Sequence, residues 1–330
     1  MKPLELPPNQ FHRFYKGGAR IDAFRGAPAG EDGRPEDWVG SAATTLGEDQ
    51  EGLSRLDDGR LLRDLLEAEP EAFLGRDHVL RWGADPALLV KLLDAGERLP
   101  VHYHPGRAFA REHLGLAYGK TEAWLILEAE PDAAVHVGLR EPLEAETVLG
   151  WVEAQEAEEM LAPMNRVPVA AGDAVLVPAG TLHAIGAGIL LLELQEPTDL
   201  SVLLEWKRFG VDSGAEHLGL GWEAAIASMD RGTTDPSALL STGDRLLPAS
   251  ADPYFRADRV GDGARLDPSF AILIGVQGQG TLHTEDGDEL AIGRGSTVLV
   301  PYAAGLTTLA GDVAAIRCRP PASTAGKGDW

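Results

Sequence analysis

The stretch G-D-A-V-L-V-P-A-G-T-L-H, residues 172–183, decides the reading of the fold. Its apolar run between Gly172 and Pro178 reads as a β-strand, the Pro-Ala-Gly that follows as a turn, and His183 as a ligand-type residue opening the returning strand. Upstream, V-H-Y-H-P at 101–105 carries two histidines one residue apart. Side chains on a strand alternate faces with period two, so His102 and His104 point to the same side and both rings can reach one ion. Glu122, in G-K-T-E-A-W at 119–124, adds an anionic oxygen. The expected metal ligands are therefore His102, His104, Glu122 and His183, a donor set that suits Zn, Fe, Ni or Mn rather than Ca or Mg.

Around this centre the sequence is mainly β. Short apolar runs bounded by Gly, Pro or Asp recur at Ala123 to Leu127, Ala134 to Leu139, Ala174 to Val177, Ile189 to Leu194, Ala271 to Val276 and Thr297 to Val300, which predicts antiparallel barrels or sandwiches. Helical spacing appears at Leu61 to Leu74, interrupted by Pro70, and again at Ala215 to Met229, while Pro86 to Leu93 reads as a short helix or the entry to a strand. An internal repeat matches G-D-A-V-L-V-P at 172–178 with G-S-T-V-L-V-P at 295–301. The second copy lacks a histidine equivalent to His183, and its upstream half offers His283 but no H-x-H. The glycine-rich G-V-Q-G-Q-G-T from Gly275 reads as a hairpin turn. The expected organisation is a ligand-bearing β domain over 1–210 with a helical insertion around 55–93, a turn-rich connection over 211–250 that includes S-T-G-D, and a degenerate β domain without metal ligands over 251–330.

Composition narrows the function. A formal net charge of -23 argues against nucleic acid or an anionic membrane as partner, since both need a basic face. One cysteine, Cys318, permits no internal disulfide and excludes a cysteine-based zinc site. With no apolar run of signal-peptide or membrane-spanning length, a cytoplasmic protein is expected. Only six of the 29 basic residues are lysines, which singles out Lys91 and Lys120, both near the ligands, as positions where an ammonium itself is wanted.

The spacing from Gly96 through H-x-H and Glu to G-x5-P-x-G-x2-H resembles the two cupin motifs. The seventeen residues between His104 and Glu122 exceed the usual cupin gap, and with F-Y-K-G-G-A-R-I, E-D-W-V-G-S, L-L-V-K-L-L-D-A-G-E-R-L-P-V-H-Y-H-P and V-P-A-G-T-L-H-A-I-G they resemble the type I mannose-6-phosphate isomerases. That resemblance implies two cupin-type jelly-roll barrels with inserted helices, a zinc ion, and interconversion of mannose 6-phosphate and fructose 6-phosphate. His102 stands where the family commonly has Gln. Asp199 matches the family's active-site Asp, but Leu203 stands where its Arg would be, which leaves either an altered substrate preference or a compensating cation such as Arg98, Arg107 or Arg111.

Aldose–ketose isomerisation moves a proton between C1 and C2 through an enediol. Lys120, two residues before Glu122 and on its side of the strand, is the expected base, with Asp199 as second base or relay. Lys91, Arg107, Arg111 and Lys207 are the expected contacts to the sugar or its phosphate. The partner is then a small sugar phosphate, with no oligomeric state specified. Two alternatives remain: a metal-dependent cupin oxygenase, because three His and one Glu is also an oxygenase ligand set, and a sugar-binding bicupin that is non-catalytic or of different specificity.

Overall fold

The computed structural model describes residues 1–241 and 245–322, so residues 242–244 of S-T-G-D and the last eight positions lie outside the described part. Among the described residues the chain is mainly β, with nineteen strands in antiparallel sheets of six, five and eight strands.

The six-stranded sheet runs in the order Gln10–Phe11, Glu36–Val39, Leu89–Ala95, Ile189–Gln195, Glu122–Ala129 and Ala174–Val177. Its central strands are buried on both faces, which is why L-V-K-L-L-D-A and I-L-L-L-E-L-Q read as almost unbroken apolar runs. Period-two alternation sorts their side chains. Leu93, Trp124, Ile126, Ile189 and Leu191 fill the core shared with the five-stranded sheet. On the opposite face Val90, Leu92, Ala123, Leu125, Leu190, Leu192 and Leu194 pack against the helices and the C-terminal sheet. Lys91, Glu122 and Glu193 share the first face, so the same alternation that builds the core aims three charged groups inward. The five aliphatic residues of Ile189–Gln195 are completely buried and contribute about 10 kcal/mol gross, enough to hold Glu193 inside despite its desolvation cost.

The five-stranded sheet, in the order Val202–Leu203, His102–Tyr103, His183–Ile185, Ala134–Leu139 and Met164–Pro168, sets His102 between two neighbours: its Cα pairs with His183 on one side and Leu203 on the other. The expected helix at Leu61 to Leu74 is present as Leu62–Ala68 and Pro70–Leu74, with the proline opening the second piece, and Arg76–Trp82 adds a third short helix within the stretch 55–93. Leu89 onward is strand. In the Ala215 to Met229 stretch only Trp222–Ile226 is α-helical, because Gly219 and Gly221 take φ values of 73° and 80°.

The eight-stranded sheet is C-terminal except for its edge strand Leu4–Glu5, which pairs with Thr297–Val300. Its longest strand, Ala271–Thr284, is continuous through the glycine-rich segment, so the hairpin turn expected there does not form. Gly278 explains the difference: with φ at 67° and a would-be Cβ 1.8 Å from the Asp312 carbonyl oxygen, it lets the strand bend against its neighbour rather than reverse. Val79, Phe73 and Leu74 of the helices join Ile272, Ile274, Leu299 and Ile316 of this sheet in one cluster with the N-terminal strands. Cys318 is buried there, and burial pushes its thiol upward.

Candidate metal centre and cavity

Strand alternation and the turn at residues 178–180 deliver the imidazoles to one place. The ligand atoms of His102, His104 and His183 lie within 4.8 Å of one another, and all three rings are buried. The His102 ring centroid is 4.1 Å from that of His183 and 5.0 Å from that of His104. Glu122 joins them, with Oε2 at 3.0 Å from His104 Nε2 and Oε1 at 3.4 Å from His183 Nε2.

Backbone carbonyls fix the rings from behind. His102 Nδ1 is 2.8 Å from the Pro100 carbonyl oxygen and His183 Nδ1 is 2.8 Å from that of Thr181, so each Nδ1–H donates outward and leaves Nε2 as the inward lone pair. His104 Nδ1 lies 3.3 Å from the Ser201 hydroxyl. Trp124 Nε1 donates to Glu122 Oε1 at 3.0 Å. His104 Nε2, His183 Nε2 and Glu122 Oε2 are buried without a hydrogen bond; the short His104–Glu122 separation brings these atoms side by side, not donor to acceptor. Such orphaned groups would be costly unless a cation completes them, and the residues therefore fit a divalent ion. Burial lowers all three imidazoles, His104 to about 3, which keeps them neutral and able to ligate. Burial alone would raise Glu122, but Lys120 and the histidines more than offset it and hold the carboxyl well below its ordinary range.

Through His102 and Glu122 the cluster opens onto a cavity of about 270 Å³. Lys120, Lys91 and Asp199 all line it. Lys120 Nζ is 3.3 Å from Glu122 Oε2. Lys91 is 2% exposed, with Nζ 3.2 Å from Glu36 and 3.4 Å from Glu193 and 4.7 Å from the Trp38 ring centre. Asp199 is held by Arg13 through both carboxylate oxygens.

The other sequence candidates lie elsewhere. The excursion 105–120 is closed at its base by a bond from Lys120 N–H to the Pro105 carbonyl, and its Arg107 turns to Glu196 at 2.5 Å and to the Tyr254 ring. Arg111 is exposed on that excursion, and Lys207 is exposed on a short 3-10 turn beside Trp206. None of the three lines the cavity. Arg98 is paired with Glu205, at 2.6 Å for each of its two terminal nitrogens.

Four cavity groups were absent from the sequence reading: Arg13, Tyr15, Glu36 and Glu193. Glu193 had a signal, a lone acid inside an apolar strand directly across from Lys91. Burial first, then the Glu122 charge, push its carboxyl up to about 7. Glu36 accepts from Tyr15 at 2.5 Å and from Trp38 Nε1 at 2.7 Å; burial alone would raise it, but Arg13 and Lys91 bring it well below the usual range. Glu193, Lys91, Glu36, Arg13 and Asp199 thus form a row of alternating charge leading from the imidazole cluster across the cavity. A larger cavity of about 410 Å³, between Arg76–Trp82 and the C-terminal sheet, has no metal-ligand cluster among the described residues.

A mainly β chain with a buried imidazole and carboxylate cluster in the wall of a charged cavity defines the class. No family model matches the chain. Over 112 residues it is 41% identical to a mannose-6-phosphate isomerase of Streptococcus mutans, 34% of each chain. The alignments to the most similar curated relatives span only about a third of those relatives' length, 34% and 36%. The solved mannose 6-phosphate isomerase of Bacillus subtilis superposes with a TM-score of 0.78 over 97% of this chain and 100% of its own, at 24% identity. A mannose 6-phosphate isomerase solved with zinc and yttrium superposes with a TM-score of 0.73, 98% and 100% coverage and 15% identity. The resemblance to mannose-6-phosphate isomerases seen in the sequence is thereby borne out, and the fold is shared with them over nearly the whole chain.

Proposed function

We propose that the chain is a metal-dependent aldose–ketose isomerase that interconverts mannose 6-phosphate and fructose 6-phosphate. One observation carries this reading: three buried imidazoles and a carboxylate, with orphaned atoms on His104, His183 and Glu122, converge at the edge of a cavity that His102 and Glu122 line together with Lys120, Glu193 and Asp199. The similarity to mannose-6-phosphate isomerases supports the substrate, and the zinc in one solved relative supports Zn²⁺ at His102, His104, Glu122 and His183. The repeated G-x5-P segment, each copy carrying a strand, Ala174–Val177 and Thr297–Val300, supports two cupin-type units over 1–210 and 251–330 joined by 211–250. One cysteine, and no helix among the described residues long and apolar enough to cross a membrane, fit a cytoplasmic setting.

A divalent ion held by His102, His104, Glu122 and His183 would supply Lewis acidity for the charge that develops on the sugar, worth several kcal/mol of barrier. The chain supplies the rest. Lys120, 3.3 Å from Glu122, stands beside the ion's position and is the base that moves the proton between C1 and C2. Glu193, with a carboxyl near 7, passes protons to and from sugar hydroxyls at neutral pH. Phe14, Leu93, Ile185 and Leu218 line the apolar part of the cavity and exclude water from the enediol.

The test is metal analysis of purified protein followed by an anaerobic coupled assay with mannose 6-phosphate. We expect one zinc per chain and turnover without oxygen. Metal-loaded protein that turns over nothing, or that consumes O₂, removes the isomerase reading.

A further inference from the structure

Leu203 leaves an apolar side chain beside His102, where the resemblance would place an arginine four residues after Asp199. The cavity nevertheless contains a guanidinium. Arg13 enters from the N-terminal segment, 186 residues away in sequence from the aspartate it grips. Its Nη1 donates to Asp199 Oδ2 at 3.2 Å, its Nη2 to Oδ1 at 3.1 Å, and its Nε to Glu36 Oε1 at 3.1 Å. A planar fork bonded on two edges has one orientation, and the rings of Phe11 and Phe14, 5.9 Å and 6.0 Å from its central carbon, pack around it. The side chain is 17% exposed, so it is a built part of the wall.

Charge bookkeeping gives the second argument. Among the described lining residues three cations face four carboxylates, and without Arg13 only two would. Even with a divalent ion counted at the imidazole cluster, loss of Arg13 removes the net positive charge of the lining, which weakens attraction for an anionic substrate, and Asp199 would lose the partner that fixes it. Resting on the isomerase reading above, we infer that Arg13 is the compensating guanidinium of this chain: a positioning residue that holds Asp199 in one orientation toward the sugar, in place of the arginine missing at 203. The cation has moved from the strand beside the metal cluster to the N-terminal segment, while its carboxylate partner has stayed.

Arg13→Ala and Arg13→Lys are assayed against the wild type for kcat and KM with mannose 6-phosphate, metal content, circular dichroism, and rescue by added methylguanidinium. Misplacing an active-site group costs about 10²-fold, so Arg13→Ala is expected to lose about that factor in kcat with full metal content, and methylguanidinium to recover about tenfold. Arg13→Lys, which keeps the charge without the fork, is expected to fall between. A merely structural arginine would give a loss that methylguanidinium does not touch, and that result overturns the inference, as does an Arg13→Lys protein of full activity. Wild type active with Arg13→Ala equally active overturns this inference alone. A metal-loaded wild type without turnover overturns the isomerase reading and this role together.

Discussion

Replacing Lys91 by Met puts the buried charge row to a quantitative test. The ammonium sits within 3.2 Å of Glu36 and 3.4 Å of Glu193, and the residue is 2% exposed. Met preserves most of the volume and the apolar stem, so the loss measured is chiefly electrostatic. Removing one partner of a buried ion pair costs about 3–5 kcal/mol, because the remaining charge stays desolvated without compensation. Arg13 still neutralises Glu36 in the variant, which leaves Glu193 as the exposed weakness of the row. Its carboxyl is already raised to about 7 by burial and by Glu122, and loss of Lys91 raises it further. An acid whose folded value lies above its unfolded one, about 4.3, is penalised more and more as pH rises past that unfolded value. The deficit of the variant is therefore smallest where Glu193 is protonated in both proteins and largest where only the wild type can ionise it cheaply. We expect about 1 kcal/mol at pH 6 and about 3 kcal/mol at pH 8.5. Urea titrations followed by tryptophan fluorescence read this as a shift in midpoint at constant slope. Adding Glu193→Gln should recover most of the loss at pH 8.5. A deficit independent of pH, or one below about 1 kcal/mol at pH 8.5, would show that Lys91 does not neutralise Glu193.

Lys120→Met should lower kcat by about 10²-fold or more while metal content stays near one per chain; a variant turning over at the wild-type rate would remove Lys120 as the base. Stripping the metal with a chelator should lower the melting temperature by an amount equivalent to about 4 kcal/mol when the ion had been at a thousandfold its dissociation constant, and scanning calorimetry before and after re-addition checks it. In the stripped protein His102, His104 and His183, all lowered by burial, are neutral when folded and take up protons on unfolding below their ordinary value of 6.5. Their stabilisation is thus present above that value and lost as pH falls, at up to about 4 kcal/mol per pH unit for three groups; a stability flat between pH 6.5 and 5 would contradict it. Gly278→Ala should cost at least about 2 kcal/mol, since the added methyl meets the Asp312 carbonyl at 1.8 Å in a left-handed backbone, and denaturant unfolding of the variant measures it.

The ligand set was legible because it obeys local rules. H-x-H on a strand and a histidine after a Pro-Ala-Gly turn are short-range patterns, and period two carries them into space without knowledge of the rest of the chain. Period two also places Lys120 on the side of Glu122, whereas Asp199 was singled out only by the family resemblance; both line the cavity. Arg107 and Arg111 were chosen for closeness in sequence to the ligands and Lys207 as a cation a few residues beyond Leu203; a helical excursion closed at its base carries the first two outside the cavity lining, and Lys207 sits exposed on the 3-10 turn after Val202–Leu203. Arg13 carried no local signal, because its partner lies in the loop between Ile189–Gln195 and Val202–Leu203, 186 residues away in sequence. Glu193 could have been found as an acid inside an apolar strand, opposite Lys91 and Trp124, but register is a tertiary property, and Glu36, opposite Leu93, carried no such signal.

The pairing of Leu4 with Leu299 and Glu5 with Val298 has a bearing on how the molecule is made. These partners lie far apart in sequence, so the edge of the eight-stranded sheet closes only through a contact with a large loop-closure cost, and Leu4–Glu5 waits unpaired until Thr297–Val300 has been made. A nascent polypeptide can therefore gather its imidazoles well before it can seal the apolar cluster in which Leu6 meets Ile272 and Leu299.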